Sequence, residues 1–258
     1  MAAIQFFDTC MRIGRSRAPE PPGCAPGAAD ALAVMQRHNI AGAAVEHAVA
    51  MEASPRLGHD LLDREIATSE QLRPAWHLMP AVSARIERAT TDPQELLARR
   101  VALGRVDAKD FCQGAGDRAC FGAVLDACAA VRLPVFVDFR RQGDALTFDF
   151  AICERYPRIP FVIEGFAGYP LHRVVWCLRN YPNLYLSTVG FALFRGVQFV
   201  CEEVGAGRMI FGSDWPASAI GLAQGSVLLA AVGDEERAAV AGGTFRRLLA
   251  GIGVGGVP

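Results

Sequence analysis

Along the 258-residue chain, short apolar runs alternate with longer segments in which apolar positions recur every three or four residues. The short runs are Ile4–Asp8, Gly42–Glu46, Ala75–Met79, Val101–Val106, Val135–Asp138, Phe161–Glu164, Leu184–Thr188 and Met209–Gly212. A brief apolar run bounded by turn residues reads as a strand buried on both faces, and a 3.6-residue period reads as an amphipathic helix. The helical pattern covers Ala28–His38, Leu61–Gln71, Arg118–Val131, Phe148–Tyr156, Leu171–Asn180 and Arg195–Val204, with two further helices near Ala219–Val232 and Glu235–Ala250. Strands alternating with helices predict parallel pairing through helical crossovers. Eight such strands in a chain of this length predict an α/β fold, a (β/α)8 barrel forming one domain over residues 1–258, with an open doubly wound sheet as the alternative.

One stretch breaks the alternation. "GRSRAPEPPGCAPGAAD", residues 14–30, holds four prolines and three glycines, which exclude a helix or central strand until the next segment begins. Following the first strand, it either covers the mouth of the barrel or makes a surface connection. The formal net charge of -1 gives no electrostatic reason to expect nucleic acid or an anionic membrane as partner. The N-terminal "MAAIQFFDTC" lacks a basic region and meets Asp8 at once, unlike a signal peptide, and no apolar run reaches the roughly 20 residues of a spanning helix. The eight cysteines include no C-x-x-C pair and fall largely within helical patterns, as expected of buried thiols in a reducing cytoplasm. A homodimer is compatible with this composition.

In such a barrel the C-terminal strand ends converge on one face, where chemistry resides. Read in order, those ends supply Asp8, Cys10 and Arg12, then Glu46 and His47, Trp76 and His77, Asp107 and Lys109, Asp138 and Arg140, Glu164, Ser187 and Thr188, and Asp214. Each alone could cap a helix or pair with an arginine. A concentration of acids and arginines at one end needs more, because buried charge is costly unless paired or used.

"RMIFGSDWP", followed by two helices and "AGGTFRRLL", resembles the C-terminal end of the amidohydrolase-related barrels, a family of metal-dependent hydrolases and of decarboxylases of small carboxylic acids. The resemblance runs along the chain through "FFDTCMRIG", "HNIAGAAVEHA", "RLPVFVDF", "IPFVIEGFAG" and "YPNLYLSTVGF". It implies a first strand ending Asp-x-His-x-His, with both histidines on a divalent metal. Here those positions are Asp8, Cys10 and Arg12, the fifth-strand histidine corresponds to Asp138, and the sixth-strand one falls on or beside Gly165, after Glu164. Only Asp214 matches a usual metal-site residue. Carboxylates and a thiolate are admissible zinc ligands, so one divalent ion at a non-standard site is an alternative. Against it stands Arg12, since a guanidinium about 4 Å from a divalent ion repels it by several kcal/mol. No metal is therefore expected, and Asp214 is expected to face Arg12 or Arg140 instead.

Two function classes follow. The first is a hydrolase or lyase acting without metal on a small carboxylate or carbonyl compound. Asp214 and Asp138 would serve with His47 or His77 as general base, and Cys10 as a conceivable nucleophile whose pKa a neighbouring guanidinium would lower. Arg12 or Arg140 would anchor the anion, with Asp8, Glu164 and Trp215 lining the substrate site. The second is a small-molecule-binding or scaffold protein that kept the barrel and lost the chemistry. His47 and His77 could equally be core histidines, and Cys10 a filler where a histidine was lost.

Overall fold

The computed structural model describes residues 4–17, 25–87, 91–109, 111, 118–140, 149–166, 171–191 and 193–253. Eight parallel strands lie in sequence order: β1 (Phe6–Ile13), β2 (Ile40–His47), β3 (Leu72–His77), β4 (Leu103–Asp107), β5 (Val135–Asp138), β6 (Phe161–Glu164), β7 (Leu184–Ser187) and β8 (Met209–Ile210). The seam between β8 and β1 is bonded through Thr9 N to Phe211 O (3.1 Å) and Arg12 N to Trp215 O (2.9 Å). This is the (β/α)8 barrel expected from the alternation, and the open sheet is excluded.

Helices α1 (Ala28–Arg37), α2 (Ala48–Glu52), α3 (Pro55–Ile66), α4 (Ala81–Glu87), α5 (Pro93–Ala98) and α6 (Ala123–Val131) surround the first half. Helices α7 (Ala151–Arg155), α8 (Leu171–Asn180), α9 (Gly196–Val204), α10 (Ile220–Leu228), α11 (Asp234–Ala238) and α12 (Thr244–Ala250) surround the second. None is long and apolar enough to cross a membrane.

Successive residues of each strand face opposite sides. One side builds the large core against the helices, with Met11, Ile13, Val45, Val106, Val137, Ile163 and Leu186 among its members. The other fills the barrel: Phe7, Ala44, Ala75, Leu103, Phe136, Val162 and Ile210 form a separate apolar cluster, closed by Phe245 of α12. Small residues on β2 and β3 make room for the rings of Phe7, Phe136 and Phe245. Two residues further along β2, β4, β5 and β6 stand Glu46, Arg105, Asp138 and Glu164, so the alternation that seals the floor raises a charged layer above it.

Several boundaries differ from the sequence reading. The first strand runs over Phe6–Ile13 rather than Ile4–Asp8, and all eight residues are buried. Its polar members, Asp8, Thr9, Cys10 and Arg12, end an apolar run but not a strand, because each finds a partner or a lumen. The helix expected at Leu61–Gln71 is Pro55–Ile66, started by Ser54, whose Oγ accepts from Leu57 N at 3.3 Å, with Pro55 in the first turn. The single helix expected over Glu235–Ala250 is interrupted by a π-helical turn at Ala239–Gly243, where a side chain on Gly242 would stand 3.0 Å from the backbone nitrogen of Phe7. Of the proline-rich stretch, residues 18–24 lie outside the described residues. Its flanks are tied down by Gly14 N to Pro26 O (2.7 Å) and Ser16 Oγ to Glu52 (2.5 Å).

His59 of α3 is a core group. Its ring stacks on Trp76 at 4.6 Å and its Nε2 accepts from the backbone nitrogen of His77 at 3.0 Å. Burial first, then the neighbouring His77 and Arg99, depress its pKa from 6.5 to about 3. A depressed imidazole pKa contributes stability that is present above the unfolded pKa and is lost as pH falls from about 6.5 towards 3. The wild type should therefore lose stability on acidification more steeply than His59→Gln, by up to about 1.4 kcal/mol per pH unit. Urea melts of both proteins between pH 7 and 5 check this, and parallel curves would remove His59 as the source.

Candidate active site

The most deeply buried cation among the described residues is Arg105, 1% exposed, projecting from β4 over the ring of Phe136. Its Nε donates to Glu164 Oε2 at 2.8 Å, Nη1 to Glu46 Oε2 at 2.7 Å, and Nη2 to Thr9 O at 2.9 Å. Burial opposes the charge, but Glu164 and Glu46 outweigh it and hold the Arg105 pKa well above the usual arginine range. Burial likewise opposes the Glu46 carboxylate, and Arg105, Arg140 and Arg12 overcome it, so its pKa is lowered. For Glu164, at the bottom of the layer, burial prevails over Arg105 and raises the pKa.

Above this lies Arg140, in the turn after β5. Its Nε and Nη2 grip Asp138, at 2.9 Å to Oδ1 and 2.6 Å to Oδ2, and its Nη1 reaches Asp214 Oδ1. Nη1 also lies 3.3 Å from Cys10 Sγ, and Nη2 lies 3.9 Å from Glu46 Oε1. Burial works to raise the Asp138 pKa, but the Arg140 charge and hydrogen bonds lower it overall. Gly165 makes this arrangement possible. At φ +74° it sits in the left-handed region, and a Cβ there would stand 2.5 Å from Arg140 Cγ and 2.6 Å from its backbone nitrogen. The glycine that follows Glu164 thus admits the arginine.

The third guanidinium is Arg12. Register places it beside Glu46 across the β1–β2 pair, and its Nη2 lies 3.9 Å from Asp214 Oδ1. The side chain is 9% exposed, and its Nε has no hydrogen-bond partner among the described residues. Asp214 itself adopts φ +62°, a conformation aspartate tolerates better than most side chains, and is the most exposed acid of the group at 23%. Asp214 therefore faces both arginines, Arg140 closely and Arg12 more loosely.

The remaining expected site residues divide. Asp8 is fully buried in the seam, its Oδ1 accepting from Cys10 N (2.9 Å) and Ser213 N (3.0 Å), and burial raises its pKa. Cys10 lies against Arg140 rather than Arg12, and burial pushes its thiol pKa well up and outweighs the guanidinium, contrary to the lowering expected of a neighbouring arginine. His47 caps α2, Nδ1 accepting from Val49 N at 3.2 Å, while Nε2 lies 3.4 Å from Glu65, away from the arginine cluster. His77 ends β3, half-buried, beside His59. Trp215 is half-buried against the core, its carbonyl joined to β1. Arg105 was missed by the sequence reading. Its signal was a charged residue inside the Val101–Val106 run, on the lumen side of the alternation, with Glu46 and Glu164 at the ends of other strands.

These residues do not suit a divalent ion. Asp138 and Asp214 bond the Arg140 guanidinium, Glu46 and Glu164 bond Arg105, and no three His, Cys, Asp or Glu among the described residues are grouped as a ligand set. Placing an ion there would set it against arginine charge on several sides.

Residues 12–250 match the sequence model of the amidohydrolase family, described as Amidohydro_2. The chain belongs to that family. Solved structures share the fold at low identity. One is 2,6-dihydroxybenzoate decarboxylase from Rhizobium, at TM-score 0.69, 15% identity, covering 97% of this chain and 99% of that one. Another is a dihydroxybenzoic acid decarboxylase from Polaromonas with bound manganese and the inhibitor 2-nitroresorcinol, at 0.69, 13%, 96% and 97%. A third is a putative 2-pyrone-4,6-dicarboxylic acid hydrolase from Pseudomonas putida, at 0.64, 15%, 96% and 98%. No curated protein matches the chain.

Two predictions follow from this amidohydrolase-family site. Arg105→Met should cost about 3–5 kcal/mol by stranding two buried glutamates, and adding Glu46→Gln and Glu164→Gln should recover a large part. Denaturant melts measure both. A double-mutant cycle should give Asp214 a coupling of about 1–3 kcal/mol with Arg140 and under about 1 kcal/mol with Arg12. Equal couplings would show that both arginines hold the acid alike.

Proposed function

We propose that the chain is a hydrolase- or lyase-type enzyme acting on a small carboxylate or carbonyl compound, with arginine in place of a catalytic metal. The observation that carries this reading is Arg12, a side chain nine-tenths buried whose Nε has no hydrogen-bond partner among the described residues, beside the most exposed acid of the cluster. A carboxylate docked on Arg12 gains charge-assisted hydrogen bonds to the guanidinium. A carbonyl oxygen there would be polarised by the same charge. Asp214 then stands next to the reacting part of the substrate, and its exposure lets it take or give a proton. Asp138 is a positioning residue, since both its oxygens are engaged by Arg140. A guanidinium does not acidify water as zinc does, so the chemistry favoured is proton transfer and carbon–carbon cleavage over attack by a metal hydroxide. A structural neighbour complexed with 2,6-dihydroxybenzoate supports a small carboxylate as the substrate class. A second reading, a binding protein without turnover, draws support from the engagement of Asp138, Glu46 and Glu164 with arginines.

The test uses protein stripped with chelator and small carboxylates, acetate and cyclohexanecarboxylate, followed by ligand-observed NMR. Both should bind, melting temperature should be unchanged by the chelator, and Arg12→Met should weaken both at least tenfold. Binding that requires added divalent metal, or that survives Arg12→Met, would overturn the proposal. Binding across a wider carboxylate panel without any turnover would favour the second reading.

A further inference from the structure

Beside Asp214 a cleft of about 140 Å³ opens between the turn after β7 and helix α10. Its walls include Phe191, Leu222 and Ala223, together with the hydroxyls of Thr188, Ser213, Ser218 and Ser226. Those of Thr188, Ser213 and Ser226 are committed within the protein. Thr188 Oγ1 donates to Gly212 O at 3.2 Å and accepts from Gly212 N at 3.0 Å. Ser213 Oγ accepts from Trp215 N at 3.1 Å and also bonds Asp8, and Ser226 Oγ donates to Ala223 O at 2.7 Å. A molecule entering the cleft therefore meets Asp214 at one end and mainly apolar surface beyond it. Phe191 is 3% exposed and forms a fixed wall, whereas Leu222, 68% exposed on α10, forms the outer lip.

We infer that this cleft is the specificity subsite for the part of the substrate beyond its carboxylate, and that Phe191, Leu222 and Ala223 select a compact hydrocarbon group no larger than one six-membered ring. The inference rests on the assignment of Arg12 as anion anchor. Asp214 lines the cleft and lies 3.9 Å from Arg12, so a carboxylate on the guanidinium directs the attached carbon past Asp214 and into the cleft. The size limit follows from the volume: a cavity of roughly 150 Å³ lined by apolar side chains accommodates benzene. The apolar preference follows from the mainly apolar walls and from the engagement of the Thr188, Ser213 and Ser226 hydroxyls, because a polar group brought against them would lose water without an equivalent partner. The same placement sets Asp214 beside the bond joining the carboxylate to the rest of the molecule.

The test compares acetate, which needs only the anchor, with cyclohexanecarboxylate, which also fills the cleft. Ala223→Phe should weaken cyclohexanecarboxylate binding at least tenfold and leave acetate within twofold. Leu222→Ala, at an exposed position where folding is not at stake, should weaken cyclohexanecarboxylate about threefold and again spare acetate. If both ligands bind the wild type and Arg12→Met loses both, while neither cleft variant separates them, the subsite is wrong and the anchor stands. If the wild type binds neither ligand, the anchor itself fails and the subsite with it.

Discussion

The barrel mouth depends on one guanidinium. Arg105 sits just above the apolar floor and bonds β6 through Glu164, β2 through Glu46 and β1 through Thr9 O. Without it, two carboxylates would be buried with too little positive charge, a cost of several kcal/mol that a family fold alone does not offset. With it, Glu46 is held ionised beneath Arg140 and beside Arg12, and the cations above have a negative base to rest on. The charged layer is therefore built from the bottom upward, its first member wholly enclosed and its last open to solvent.

That gradient gives the three arginines different parts. Arg105 has its donors directed to protein acceptors and is structural. Arg140 is clamped to Asp138 and Asp214 and fixes where Asp214 points. Arg12 is held near the cluster by register and a loose ion pair, and its Nε has no partner among the described residues. A positive centre made of side chains differs from a bound ion in one respect that matters for chemistry. It is planar, permanent and a donor of several directed hydrogen bonds, suited to holding a carboxylate in one orientation, while it leaves water's acidity almost untouched. Glu46, Asp138, Glu164 and Asp214 are here the counter-charges of arginine.

Glycine placement supports the same arrangement. Gly165 lets the Arg140 backbone pass where any side chain would collide, and Gly14, with φ +82°, lies so close to the His47 ring that a Cβ would stand 2.6 Å from Nε2. The first admits the central cation. The second fixes His47 as the cap of α2, turned towards Glu65. Two strand ends of the same polar character thus serve different purposes, one at the mouth and one in the framework.

The sequence by itself determined the barrel, because apolar runs alternating with amphipathic segments have few ways to bury both strand faces. β5 and β6 fall where the apolar runs predict them, and the C-terminal stretch around Asp214 marks the family. It also determined which residues crowd the strand ends. It did not determine β1 beyond Asp8, since Thr9, Cys10 and Arg12 interrupt the hydrophobic pattern while remaining in the strand. Nor did it determine which arginine Asp214 faces. Arg12, Arg105 and Arg140 lie on three different strands or turns, and their relation to Glu46, Asp138, Glu164 and Asp214 is set by strand register and barrel curvature. Local pattern encodes which side of a strand a residue faces. Only closure of the sheet decides which charge it meets across the lumen, because that distance depends on all eight strands together.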